Sequence, residues 1–173
     1  MALDPELMKN NKIQIIKLPP ERWNEYKNLW LRALKDDPQA FGDSYNEMIA
    51  LPDEKWQKRA RDFMLFASND DKLIGMLGIW QSDQDKENKT ANVFGVYVAP
   101  EFRGKGISKM LMQTLVDEVK ANSDITKLKL TVNKDQVSAV KLYEGFGFEI
   151  KSQEKIQLGD GNYYDEYLME KNI

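Results

Sequence analysis

Apolar positions recur along the chain with two different periods, and these periods divide it into strands and helices. Residues 128–132 alternate apolar side chains with Lys129 and Thr131, which predicts a half-buried strand. Apolar residues at 107, 111, 115 and 119 recur at helical spacing and predict an amphipathic helix. Residues 81–90 are polar without periodicity and predict an exposed loop. The same reasoning predicts further strands at 12–18, 63–67, 73–80, 93–98, 150–158 and 163–169, and further helices at 23–34, from 53 onward and at 137–146.

The resulting order, β-α-α-β-β-β-α-β-α-β-β, predicts one α/β (α+β) domain. Helices should cover both faces of a mixed central sheet of about seven strands. Gly95 interrupts the apolar strand 93–98 and indicates a bulge or a close approach of another group. A chain of 173 residues can bury a core of its own. We assign residues 12–173 to this domain and residues 1–11 to an N-terminal tail, with Met8 interpreted as the native start.

The composition excludes several classes of protein. A formal net charge of −3 argues against general nucleic-acid binding. There is no apolar run of membrane-spanning length and no signal-peptide pattern, so we expect a cytoplasmic protein without a membrane partner. The chain contains no cysteine and no histidine, which excludes disulfides, thiol nucleophiles, Ser-His-Asp triads and zinc sites built from those ligands. We predict no metal site, and proton transfer must use a carboxylate, tyrosine, lysine, a terminal amine or water.

A basic glycine turn lies between strand 93–98 and the helix that begins near residue 107. Gly104 and Gly106 let the backbone bend and approach a ligand, and Arg103 and Lys105 add positive charge. The start of a helix offers unpaired N–H groups and a partial positive charge, so the segment predicts an anion site. The spacing fits neither a P-loop nor a dinucleotide fingerprint, because Lys109 stands where the third glycine would be.

Two motifs in this region resemble the GNAT acyltransferase superfamily. Arg103, Gly106 and Ser108 match its acyl-CoA pyrophosphate motif R-x-x-G-x-G/A, with Ser in place of the final Gly or Ala. Residues 132–148 are similar to its segment V-N-x-x-N-x-x-A-x-x-L-Y-x-x-x-G-F, with Gln136 in place of the second Asn. The two motifs occur in the order found in that superfamily.

This resemblance implies a GNAT fold in which strands 93–98 and 128–132 splay apart and admit acetyl-CoA as cosubstrate. The backbone of residues 96–98 would bind the pantetheine amides, and the amides of residues 104–108 would bind the pyrophosphate. The activity implied is transfer of an acetyl group to a primary amine by direct attack in a ternary complex. The coenzyme-binding residues implied by the resemblance are Val96, Tyr97, Val98, Arg103, Gly104, Lys105, Gly106, Ile107, Ser108, Asn133, Gln136 and Tyr143.

The resemblance also assigns catalytic candidates. Tyr143 matches the superfamily tyrosine and is the candidate general acid, with packing in the core as the alternative. Superfamily members often carry a Glu beside the strand before the glycine loop, but residues 91–100 contain no acid. Asp43 and Glu47 are candidates for the base or for acceptor binding, with a solvated helix face as the alternative. Tyr97 is a further candidate, with strand packing as its alternative.

Several alternatives stay open at this point. The acceptor is a polyamine, an amino sugar, an amino acid or a peptide N-terminus, and a homodimer is compatible with the resemblance. A catalytically silent acyl-CoA-binding regulatory module is the competing function, supported by the missing strand carboxylate. A nucleotide-binding protein unrelated to CoA is disfavoured by the absent Walker lysine and third glycine.

Overall fold

The computed structural model describes residues 13–173 and contains a seven-stranded sheet in the order β1-β2-β3-β4-β5-β7-β6. The predicted tail, residues 1–11, lies outside the described residues. Between β4 and β5 the pairing is parallel, and the other neighbouring strands pair antiparallel. The mixed sheet predicted from the sequence is therefore confirmed. The strands are β1 (Ile13–Ile16), β2 (Met64–Asn69), β3 (Lys72–Trp80), β4 (Thr90–Val98), β5 (Lys127–Asn133), β6 (Glu149–Gln157) and β7 (Tyr163–Asn172).

Helices cover both faces of the sheet, as predicted. They are α1 (Trp23–Asp36), α2 (Tyr45–Ile49), α3 (Asp53–Arg59), α4 (Asp83–Glu87), α5 (Ile107–Asn122) and α6 (Val137–Gly145). Within β2, Leu65 and Ala67 join the core formed with α5 and α6, whereas Met64 and Phe66 join the core formed with α1 and α3. This alternation is the two-residue period of a strand covered on both sides. Within residues 13–173, no helix is long and apolar enough to cross a membrane.

One face of the sheet is packed largely by aromatic side chains. On α1, Tyr26 and Trp30 are almost fully buried, and Trp56 of α3 is completely buried. Tyr26 packs edge-on against both indole rings, with centroid distances of 5.8 Å in each case. Burial of each large apolar side chain contributes about 1.5–3 kcal/mol. This aromatic cluster therefore fixes α1 and α3 rigidly over β4.

The central strands splay apart, as the resemblance implied. Parallel pairing joins residues 90–92 of β4 to residues 127–129 of β5, and beyond them the strands carry no mutual pairing. Gly95 has a φ of +65°, and the pairing of β3 with β4 shifts register at this point. A Cβ at Gly95 would lie 2.6 Å from Cζ3 of Trp30, so only glycine fits here. Both readings of Gly95, a bulge and a close approach, are confirmed.

Most of residues 81–90 are exposed, as predicted, but the prediction of a loop is wrong, because this segment contains α4. Ser82 and Asp85 form a reciprocal capping box, in which each side chain binds the other residue's backbone N–H. A five-residue helix is too short to show helical periodicity. The S-x-x-D spacing was the available signal. The predicted order also lacked α2, which is equally short.

Asp85 is a buried carboxylate at the foot of the splay. It accepts hydrogen bonds from Nζ of Lys129 and Nδ2 of Asn92, each at 2.9 Å, and from Oγ1 of Thr90 at 3.0 Å. The hydrogen bond from Lys129, together with those from Ser82 and Thr90, holds the pKa of Asp85 well below its usual range. These contacts tie α4, β4 and β5 together where the two central strands still pair.

Candidate active site

The splay between β4 and β5 opens into a cleft of about 1130 Å³. Its walls come from the outer halves of β4 and β5, the start of α5, α6, and residues on and after α1 and α3. All of the predicted coenzyme residues line this cleft except Lys105 and Asn133. The sequence motifs, which lie far apart along the chain, therefore meet in one cavity.

The glycine turn forms one end of the cleft. Gly104 and Gly106 have φ angles of +76° and +78°, a backbone conformation that favours glycine. In α5, the first N–H that binds a carbonyl of the turn is that of Met110, which donates to the carbonyl of Gly106 at 3.0 Å. Across residues 13–173 the N–H groups of 107–109 have no backbone acceptor outside the helix. This end of the cleft therefore presents free amides and the positive pole of a 16-residue helix.

The two basic side chains of the turn have different positions. Arg103 lines the cleft, and its Nε donates to the carbonyl of Val98 at 2.8 Å while its Nη2 pairs with Asp37 at 2.5 Å. Arg103 therefore ties the glycine turn to the end of β4 and to the end of α1. Lys105 lies outside the cleft lining, with Nζ 5.1 Å from the ring centroid of Phe102. Its charge is near the turn, but its side chain is packed on an aromatic ring.

The two amide side chains of the second motif have different positions. Gln136 lines the cleft directly before α6. Asn133 is buried outside the lining, where its Oδ1 accepts the N–H of Asp135 at 3.0 Å and its Nδ2 donates to the carbonyl of Gln39 at 3.4 Å. Asn133 therefore shapes the turn after β5 and links it to the segment after α1.

Tyr143 lies on the cleft wall with its ring packed in the core. The side chain is 5% exposed and meets Phe148 edge-on, with the ring centroids 6.0 Å apart. Burial raises the pKa of the Tyr143 hydroxyl well above its ordinary value. Among residues 13–173, no hydrogen-bonding or charged group contributes to this shift, and burial is its only cause. The geometry therefore provides a protonated donor beside the cleft, and the core packing considered as the alternative is present at the same time.

Tyr97 lies on the opposite face of β4, and its hydroxyl donates to Oδ2 of Asp36 at 2.5 Å. Burial and this hydrogen bond raise the pKa of Tyr97 far above its ordinary value. Asp36 also pairs with Arg32, at 3.4 Å. The hydroxyl of Tyr97 is thus engaged in an ion network at the end of α1.

The two carboxylates proposed for the acceptor side are placed differently. Glu47 is exposed on α2 and lies outside the cleft lining. Asp43 lines the cleft, and its Oδ2 accepts Nε1–H of Trp30 at 3.1 Å and Nη2–H of Arg59 at 3.3 Å. The hairpin between β6 and β7 supports this loop, because Gly159 donates its N–H to the carbonyl of Phe41 at 3.0 Å.

Arg59 is a cleft residue that the sequence did not reveal. Its guanidinium lies over the rings of Trp30 and Trp56, at 5.0 and 5.5 Å from their centroids. Burial acts to lower the pKa of Arg59, but Tyr26 and Asp43 more than offset this, so the pKa lies above its usual value. A basic residue in the last turn of a helix is normally solvated, so no sequence signal distinguished this one. Asp62 and Trp80 also line this end of the cleft.

Comparisons with known proteins agree with this geometry. The sequence profile described as the Acetyltransferase (GNAT) family matches residues 23–148. L-amino acid N-acetyltransferase AaaT from Escherichia coli strain K12 is 30% identical over 122 residues, which cover 68% of this chain and 75% of that protein. An acetyltransferase of the GNAT family from Streptococcus pneumoniae has the same fold, with a TM-score of 0.79 at 20% identity over 94% of this chain and 100% of that one. The structure of yncA from Salmonella typhimurium with its cofactor acetyl-CoA has a TM-score of 0.73 at 18% identity, over 93% of this chain and 94% of that one.

Proposed function

Because the chain belongs to the GNAT acetyltransferase family, we propose that it is an N-acetyltransferase that moves an acetyl group from acetyl-CoA to a primary amine. The observation that carries this proposal is the splay cleft itself. It joins free helix-start amides at one end to a protonated tyrosine on its wall and to charged side chains at the other end. In line with what the family resemblance implies, we propose that the amine attacks the thioester directly, in a ternary complex.

The cleft suits acetyl-CoA along its whole length. The amides of residues 107–109 would hold the pyrophosphate, supported by the charge of Arg103. Beyond residue 92 the edge of β4 that faces β5 has no strand partner, so backbone groups of residues 96–98 on that edge can bind the pantetheine amides, while the carbonyl of Val98 also accepts Nε of Arg103. This is the hydrogen bonding of an added strand.

The energy of these contacts is sufficient for binding. Hydrogen bonds to charged groups contribute about 1.5–3 kcal/mol each, and a micromolar site needs about 8 kcal/mol. The three amide–phosphate contacts, the charge of Arg103 and the pantetheine contacts together meet this need and offset part of the ordering cost. With the pyrophosphate at the glycine turn, the pantetheine arm of acetyl-CoA would run along β4 away from that turn. Its thioester would then lie near the bulge at Gly95.

The reaction forms an N–C bond to the acetyl carbon and breaks its C–S bond. A lysine-like amine with a pKa of about 10.4 is neutral in roughly one molecule in a few thousand at pH 7, so it must lose a proton before attack. The departing thiolate needs a proton in return. We assign this donation to the hydroxyl of Tyr143, whose raised pKa keeps it protonated.

We assign the acceptor-side carboxylate to Asp43. Unlike Glu47, Asp43 lies on the cleft wall, and Trp30 and Arg59 fix its orientation. In this position it can orient the incoming ammonium group and accept its proton, directly or through water.

The test compares ligand binding with turnover. At about 100 times its Kd, acetyl-CoA should stabilise the protein by about 2.7 kcal/mol, which raises the Tm by about 5–10 °C for a chain of this size. ATP at the same concentration should give no shift. A panel of primary amines should then show amine-dependent release of CoA thiol. Binding without thiol release from any amine would favour the silent acyl-CoA-binding module, and no binding would contradict both functions.

A further inference from the structure

Arg59 lies at the reacting end of the cleft. The indole ring of Trp30 lies between Arg59 and the bulge of β4. The edge of this ring packs against Gly95, and the Arg59 guanidinium lies over its face, 5.0 Å from the ring centroid. The glycine turn that would bind the pyrophosphate lies beyond the other end of the unpaired β4 edge. The guanidinium is therefore close to the expected thioester and remote from the coenzyme phosphates.

The guanidinium is held in place with donors to spare. Trp30 and Trp56 support it on aromatic faces, a packing that leaves the N–H edge of an arginine free for a planar anion. Its Nη2 donates to Asp43 at 3.3 Å, the hydroxyl of Tyr26 interacts with the guanidinium as well, and Nε is buried without a partner among residues 13–173. The side chain keeps 29% of its surface exposed and lines the cleft, so its other terminal N–H groups can reach a ligand.

The charges around Arg59 define the kind of acceptor. A carboxylate is a small anion that pairs bidentately with a guanidinium, whereas Asp43 and Asp62, which like Arg59 act on the pKa of Tyr26, suit an ammonium group. An acceptor with both charges separated by a few atoms satisfies all three residues. A peptide N-terminus lacks the nearby free carboxylate, and a polyamine has no negative charge for Arg59.

We infer that the acceptor is a free amino acid or a close analogue, and that Arg59 binds its carboxylate while the amine points toward Gly95. This inference rests on the proposed acetyltransferase function and specifies its substrate class. Arg59 contacts the substrate without taking part in proton transfer. Because Arg59 also orients Asp43, its role in carboxylate binding is measured by the ratio of kcat/KM for acceptors with and without a carboxylate.

The test compares free L-amino acids with their C-terminal amides as acceptors. Wild-type protein should prefer the free acids by about tenfold to a hundredfold in kcat/KM, because the amide loses a charge-assisted pair. Arg59→Met should reduce this preference to near one and leave the KM of acetyl-CoA unchanged. Arg61→Met is the matched control, since Arg61 follows the same helix, is exposed and lies outside the cleft lining.

Two further measurements keep the outcomes distinct. Arg59→Lys retains a charge on a side chain that cannot form the planar fork, so an intermediate acid-to-amide preference supports the inference even if Arg59→Met unfolds. Equal use of acids and amides by wild-type protein would overturn the inference and leave the acetyltransferase function standing. Acetyl-CoA binding without acetylation of any acceptor would instead contradict the proposed function, and this inference with it.

Discussion

Replacing Gly106 by alanine tests whether the glycine turn is the pyrophosphate site. Gly106 has a φ of +78°, and a Cβ built there meets no protein atom within 4 Å. The folded protein therefore bears only the conformational cost of alanine in a left-handed position, about 1–2 kcal/mol. For a chain of this size that lowers the Tm by about 2–8 °C. The new methyl group stands at the mouth of α5, where a phosphate would have to approach the amides.

Gly161 provides a matched control for this substitution. It has a φ of +83°, also has nothing within 4 Å of a built Cβ, and lies in the hairpin outside the cleft lining. Both alanine variants should lose similar stability. Only Gly106→Ala should weaken acetyl-CoA binding, by about tenfold to a hundredfold, which is the loss of one charged hydrogen bond of about 1.5–3 kcal/mol. Isothermal titration with acetyl-CoA measures this, and equal Kd values for the two variants would refute the assignment.

Three further substitutions, two of them with a matched control, test the remaining parts of the structure. Tyr143→Phe should lower kcat by about a hundredfold or more with nearly unchanged acetyl-CoA affinity. Unchanged turnover in the Phe variant would remove Tyr143 from the mechanism. Burial raises the pKa of Tyr143, so its hydroxyl should stay protonated, and the wild-type kcat should not fall, as the pH rises to about 10, the ordinary tyrosine pKa. Asp43→Asn should lower kcat/KM for the amine by about tenfold or more in steady-state assays. The control Glu47→Gln should change the same kcat/KM by no more than about twofold. Equal losses in the two variants would contradict the assignment to Asp43. Gly95→Ala should lower the free energy of urea unfolding by about 2–5 kcal/mol, because the new methyl group overpacks against Trp30 and the backbone is strained. Gly42→Ala has open space around its Cβ and should change the same free energy by less than about 1 kcal/mol.

The fold was predictable wherever the pattern was long enough to show a period. α5 spans 16 residues, and its apolar positions recur over several turns. The splay was implied by the superfamily resemblance and not by periodicity. α4 was missed because five residues hold little more than one turn. Its buried Asp85 could not be foreseen, since Lys129 and Asn92 reach it only once β4 and β5 pair.

The two ends of the cleft differ in how much the sequence reveals of them. The coenzyme end is built from contiguous residues, because a glycine turn and the helix start after it are neighbours along the chain. The acceptor end is assembled by tertiary packing. Asp43, Arg59 and Trp80 come from three separate segments and line one cleft only when α1 and α3 pack over β4. No local sequence pattern identifies such residues, and from its sequence neighbours Arg59 is indistinguishable from an ordinary surface arginine.

The central claim is that this cleft transfers an acetyl group from acetyl-CoA to an amine. The most direct test incubates the purified protein with acetyl-CoA and a panel of amino acids, polyamines, amino sugars and peptides, and measures the N-acetyl product and free CoA by mass spectrometry. We expect both products to form in equal amounts and only in the presence of the amine, and we expect Tyr143→Phe to suppress them. Tight binding of acetyl-CoA with no acetylated product from any acceptor would contradict it.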